Sequence, residues 1–130
     1  MSSISLWVAG ARLRTLPLAV APIALGAGTA SSLDSFDLGL SLLALVVALA
    51  LQIGVNYAND YSDGIRGTDK QRVGPLRLTG SGSKKPESVK NAAFVFFGIA
   101  ALAGLTIVLI TGYWILVGVG LAAIIAAWFY

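Results

Sequence analysis

Cysteine and histidine are both absent from the 130 residues. Charge is scarce too: only 12% of positions carry it, and a single glutamate, Glu87, joins five aspartates. Without thiols there are no disulfides and no thiolate metal sites. Without imidazole, the usual general base and the usual zinc ligand are gone. Any chemistry falls to Asp, Asn, Arg, Lys, Tyr, Ser, Thr or Glu87. A soluble domain ordinarily carries about twice this charged fraction. The net charge of +3 comes from loops and speaks to topology rather than to nucleic acid.

What the chain has instead is apolar: 57% of residues, with a mean hydropathy of +0.84. Its charges sit in a few short segments, with long neutral tracts between them. It therefore reads as an all-α, polytopic transmembrane helical bundle. Residues 1–14, with Trp7, Arg12 and Arg14, suit a helix lying at the membrane surface. A signal peptide fits less well, because the arginines follow the first apolar residues and no clean cleavage site appears.

Candidate spans are 15–32, 38–61, 89–111 and 113–130, each near the ~20 residues that cross a ~30 Å hydrocarbon core. Pro17 and Pro22 predict a kinked or tilted entry to the first span. Gly26 and Gly28 offer a thin surface for close helix approach. Pro86 and Glu87 suit the first turn of a helix, and Gly112 with Tyr113 a tight turn. Seven of the nine basic residues lie from Arg66 to Lys90, whereas the 31–37 loop has none. The positive-inside rule then places the N-terminus and the 62–88 loop in the cytosol of a multi-pass cell-membrane protein. The closing Trp128-Phe129-Tyr130 suits an interfacial aromatic belt. No polar tail follows it, which suggests a longer protein.

The second apolar run ends in N-Y-A-N-D-Y-S-D-G-I-R-G-T-D, residues 56–69. At 100° per residue, Asn56, Asp60 and Asp63 fall within roughly 60° of one another on a helix. Gly64 and Gly67 let the chain turn and return a third carboxylate, Asp69, toward the first two. Clustered carboxylates repel unless something positive lies among them. Mg²⁺ fits, because it binds through a few carboxylates while keeping waters and phosphate oxygens as its other ligands. Arg66, Lys70, Arg72 and Arg77 are near enough in sequence to neutralise a diphosphate. Loss of diphosphate from an allylic tail would leave a carbocation that Asp and aromatic groups could stabilise. The plainer alternative is that these aspartates cap a membrane helix and pair with loop arginines.

At these residues the sequence resembles a known family. Asn59, Asp60 and Asp63 form an N-D-x-x-D similar to the first aspartate-rich motif of the UbiA superfamily of intramembrane prenyltransferases. The longer string N-D-Y-S-D-G-I-R-G-T-D, the later R-V-G-P-L-R and the upstream R-T-L-P from Arg14 to Pro17 resemble the 1,4-dihydroxy-2-naphthoate polyprenyltransferase branch. The superfamily often places its last aspartate four residues after the second; here that position is Gly67, and Asp69 follows, as in the naphthoate branch. The resemblance covers essentially the whole chain. It implies a nine-span bundle of which about four are present, forming the N-terminal part of the enzyme.

It also implies an activity. The enzyme would transfer a polyprenyl group from polyprenyl diphosphate to 1,4-dihydroxy-2-naphthoate, with decarboxylation, in menaquinone biosynthesis. Asp60 and Asp63 would be catalytic and, with Asp69, would hold Mg²⁺; Asn56, Asn59, Arg66, Lys70 and Arg72 would bind the diphosphate. A second aspartate-rich motif is expected, and no carboxylate follows Glu87, so these residues alone are expected to be inactive. Three other readings compete. One is another intramembrane aromatic prenyltransferase, and one is a small membrane or transport subunit with an acidic cation site. The third is a CDP-alcohol phosphotransferase, which shares D-x-x-D-G but needs an Ala-Arg and a later D-x-x-x-D that are missing.

Overall fold

A computed structural model describes residues 2–67 and 76–130. The described residues form five α-helices and no strand. Helix α1 (Ser3–Ala11) starts where the Ser2 hydroxyl accepts the Ser5 amide, and ends at Arg12 in the left-handed region. A 3₁₀ turn, Leu13–Thr15, leads into α2 (Pro17–Ser32). The two stretches meet at a 49° bend beside Pro17, so together they make one broken span or a re-entrant loop. Pro22 lies within α2, so the expected kink falls at the helix entry, where Pro17 sits.

Helix α3 (Leu38–Arg66) begins at Asp37, whose carboxylate accepts the Leu40 amide at 2.9 Å. It ends at Gly67, whose φ of 74° suits a residue without a Cβ. Its 29 residues reach roughly 43 Å, more than a ~30 Å core requires. Gly64 is therefore helical, and of the two glycines only Gly67 turns the chain. Helix α4 (Pro86–Thr111) starts with Pro86 and Glu87 in its first turn, as the sequence predicts, and stops at Gly112 with φ 75°. Helix α5 (Ile115–Phe129) follows.

Helices α3 and α4 are each long and apolar enough to cross a membrane; the bent pair is a third such unit, and α5 is a shorter apolar helix of 15 residues. All four candidate spans are thus helical, with two of full length standing alone. Helices α3 and α4 pack along one another at the centre of the bundle. They meet tightly at Gly54, where a Cβ would lie 2.7 Å from the Phe97 ring. Among the described residues nothing lies within 4 Å of a Cβ added at Gly26 or Gly28. The core gathers at the polar end of α3: Ala11, Tyr57, Ala58, Leu78, Val89, Ala93, Phe97 and Ala127 form one buried cluster. Stacked rings tie α5 to this end, Trp128 on Phe94 at 5.0 Å and on Tyr61 at 5.9 Å.

Candidate active site at the polar end of α3

The last three turns of α3 carry Asn56, Asp60 and Asp63 on one face, and each meets a different piece of chain. Asn56 is buried and donates to the Ala11 carbonyl at 2.8 Å and to the Thr15 hydroxyl at 3.0 Å. It thus satisfies a carbonyl at the end of α1 and fixes the bend before α2. Tyr57 adds a second tie, its hydroxyl donating to the Trp7 carbonyl at 2.7 Å while its ring meets Trp7 edge-on.

Asp60 is 1% exposed. Its two carboxylate oxygens accept backbone amides from one short strap: Leu78 N–H to Oδ2 at 2.7 Å and Thr79 N–H to Oδ1 at 2.8 Å. A buried carboxylate needs such partners, because leaving its charge unsolvated is costly. The strap, 76–80, folds on itself through Ser81 N–H to the Arg77 carbonyl and Lys84 N–H to the Leu78 carbonyl. Leu78 is fully buried against Gly10 and Tyr57. The strap reaches α3 only because residue 64 is glycine; a Cβ there would overlap the Thr79 side chain and come within 3.2 Å of the Gly80 nitrogen. Asp63 is more open, and Arg77 Nη2 lies 3.7 Å from its Oδ2. The alternative of carboxylates paired with loop arginines thus describes Asp63 in this conformation.

Asn59 is half-buried on α3 and Arg66 is exposed at its end. Asp69, Lys70 and Arg72 lie outside the described residues. Among the described residues no group of three or more carboxylates comes together that could hold a metal. The donor set still suits a hard cation, since Asp60 and Asp63 supply only oxygens one turn apart. What stands against it in this conformation is that both Asp60 oxygens hold amides. Sequence reasoning missed Thr15, Leu78, Thr79 and the contact role of Gly64. Arg77 was in view as one loop cation among several, with nothing local to single it out.

An apolar cavity of about 540 Å³ lies between α2, α3, α4 and α5, lined among others by Ile23, Val47, Leu51, Gly104, Val108 and Leu116. Leu51 is nine residues before Asp60, roughly 13 Å along the helix axis. Nine residues at 100° each also put Leu51 about 180° round the helix from Asp60, so the cavity lies on the other face of α3.

Comparison with known proteins gives a consistent answer. The chain is 54% identical over 130 residues to a protein of Mycobacterium tuberculosis named 1,4-dihydroxy-2-naphthoate octaprenyltransferase, covering 100% of this chain and 44% of that protein. Identity and coverage are the same against the Mycobacterium leprae protein of that name. The Escherichia coli protein of the same name is 39% identical over 109 residues, which is 83% of this chain and 35% of that one. The chain thus spans less than half the length of the curated relatives it matches. No family model matches the chain, and no solved structure does. On its relatives, the chain belongs to the UbiA-type prenyltransferases.

Proposed function

We propose that these residues form the first half of the active site of a Mg²⁺-dependent intramembrane enzyme. It moves a polyprenyl group from its diphosphate to 1,4-dihydroxy-2-naphthoate, giving demethylmenaquinone. The allylic C–O bond breaks, diphosphate leaves, a new C–C bond forms on the ring, and the ring carboxylate departs as carbon dioxide. The observation that carries this reading is the placement of Asn56, Asp60 and Asp63 on one face at the polar end of α3, an otherwise apolar helix long enough to cross a membrane.

In this reading Asp60, Asp63 and Asp69 hold Mg²⁺, which when bound neutralises diphosphate charge and favours its departure. Asn56, Asn59, Arg66, Lys70 and Arg72 contact the diphosphate. For Asn56 this is a second task, since its amide nitrogen already serves Ala11 and Thr15. The family resemblance implies a second aspartate-rich helix outside residues 1–130, so these residues alone are expected to be inactive. The N-terminus and the connection between α3 and α4, the expected 62–88 loop now bounded by Arg66 and Pro86, face the cytosol.

The test is transfer of a labelled polyprenyl diphosphate to 1,4-dihydroxy-2-naphthoate by the full-length protein in lipid. Demethylmenaquinone should form with Mg²⁺ and not with EDTA. Cation binding that ignores diphosphate, with no prenylated product, would instead support a transport or assembly subunit.

A further inference from the structure

Both oxygens of Asp60 are occupied by the strap amides, and the carboxylate is 1% exposed. Each oxygen keeps a second lone-pair site, but with the strap in place the carboxylate is sealed from solvent, so a cation reaches it only when the strap moves. The strap is also the roof over it. Leu78 is buried beneath α1, Arg77 is held toward Asp63, and Gly64 admits Thr79 against the helix. Yet the closed strap is not fully satisfied, because the buried Thr79 hydroxyl has no hydrogen-bond partner among the described residues. Such an orphan favours a second arrangement.

We infer that the 76–80 strap is a latch that closes the aspartate site in the unloaded protein and is displaced when the site is loaded. The inference rests on the metal–diphosphate reading of Asp60 and Asp63. Displacement frees Asp60 from Leu78 and Thr79, and it frees Arg77 from Asp63 at the moment a diphosphate offers the guanidinium a richer acceptor. The latch keeps a bare cation from settling on Asp60 without substrate. Apparent affinity for the cation falls by the fraction of protein that is latched, and anything that weakens the latch raises it.

Gly64 gives the handle. Gly64→Ala adds a Cβ that meets Thr79 while leaving both carboxylates in place, and in a helix alanine is favoured over glycine. The experiment uses the full-length protein in nanodiscs, with Mn²⁺ as the probe cation and inorganic pyrophosphate as the probe anion. Mn²⁺ binding is followed by its paramagnetic resonance signal, and hydrogen exchange is followed in the 76–80 segment. On loading, the Leu78 and Thr79 amides of the wild-type protein should exchange faster, the reverse of ordinary ligand protection. Gly64→Ala should bind Mn²⁺ about tenfold tighter, the equivalent of one charge-assisted hydrogen bond.

If Mn²⁺ binds while those amides stay protected, or if Gly64→Ala binds no tighter, the latch is wrong and the metal reading stands. If Mn²⁺ binds neither protein, or binds unaltered in Asp60→Asn, the metal reading itself fails and the latch with it.

Discussion

The ring of Phe97 lies across Gly54 so closely that a Cβ on residue 54 would fall 2.7 Å from a ring carbon. This contact sets the spacing of α3 and α4, the two full-length spans. Gly54→Val should therefore force the helices apart and cost roughly 1–3 kcal/mol, the usual scale of overpacking. Gly98→Ala on α4, where nothing lies within 4 Å of the added atom, should be neutral or slightly stabilising. Unfolding of the full-length protein in lipid compares them, and equal melting of the two variants would rule out Gly54 as a tight contact between the helices.

Asn56 is expected to matter to stability as well as to turnover. Removing its amide leaves the Ala11 carbonyl and the Thr15 hydroxyl without that donor. Asn56→Ala should cost roughly 1–3 kcal/mol, and a double-mutant cycle with Thr15→Val should give a coupling of at least ~0.5 kcal/mol. A residue serving only the diphosphate would raise KM and leave unfolding where it was.

Three of the four aspartates with described surroundings should separate cleanly. Asp60→Asn and Asp63→Asn should abolish turnover in the full-length protein, since each removes a carboxylate proposed to hold the metal. Asp34→Asn should do little. It lies exposed at the far end of α2, at φ 55°, a left-handed conformation that asparagine also accepts. Comparable losses at Asp34 and Asp60 would place either the site or the topology elsewhere.

Much of the fold is legible in the sequence because its signals are local. Long apolar runs mark α3 and α4, Pro86 and Glu87 mark a helix start, and Gly67 and Gly112 mark helix ends at positive φ. The 3.6-residue period puts Asn56, Asp60 and Asp63 on one face without further help. What sequence misses is contact between segments distant in the chain. Asp-Gly at 63–64 looks like a turn, yet Gly64 stays helical, and its missing side chain is used by Thr79 instead. The partners of Asp60 are backbone amides, which every residue but proline has, so nothing in the letters Leu78 and Thr79 announces them. Gly26 and Gly28 show the converse, a small-residue pattern with no contact to an added Cβ among the described residues.

Helix α3 is also a ruler. Asp37 fixes one end, Gly67 fixes the other, and 29 hydrogen-bonded residues between them do not stretch. The carboxylates therefore stand at a set distance from the opposite membrane face. In a thinner bilayer the helix must tilt or push its polar end further into water, and in a thicker one Asp60 and its strap are drawn toward the acyl chains. Bilayer thickness thus sets how wet the site is, through no residue of the site itself.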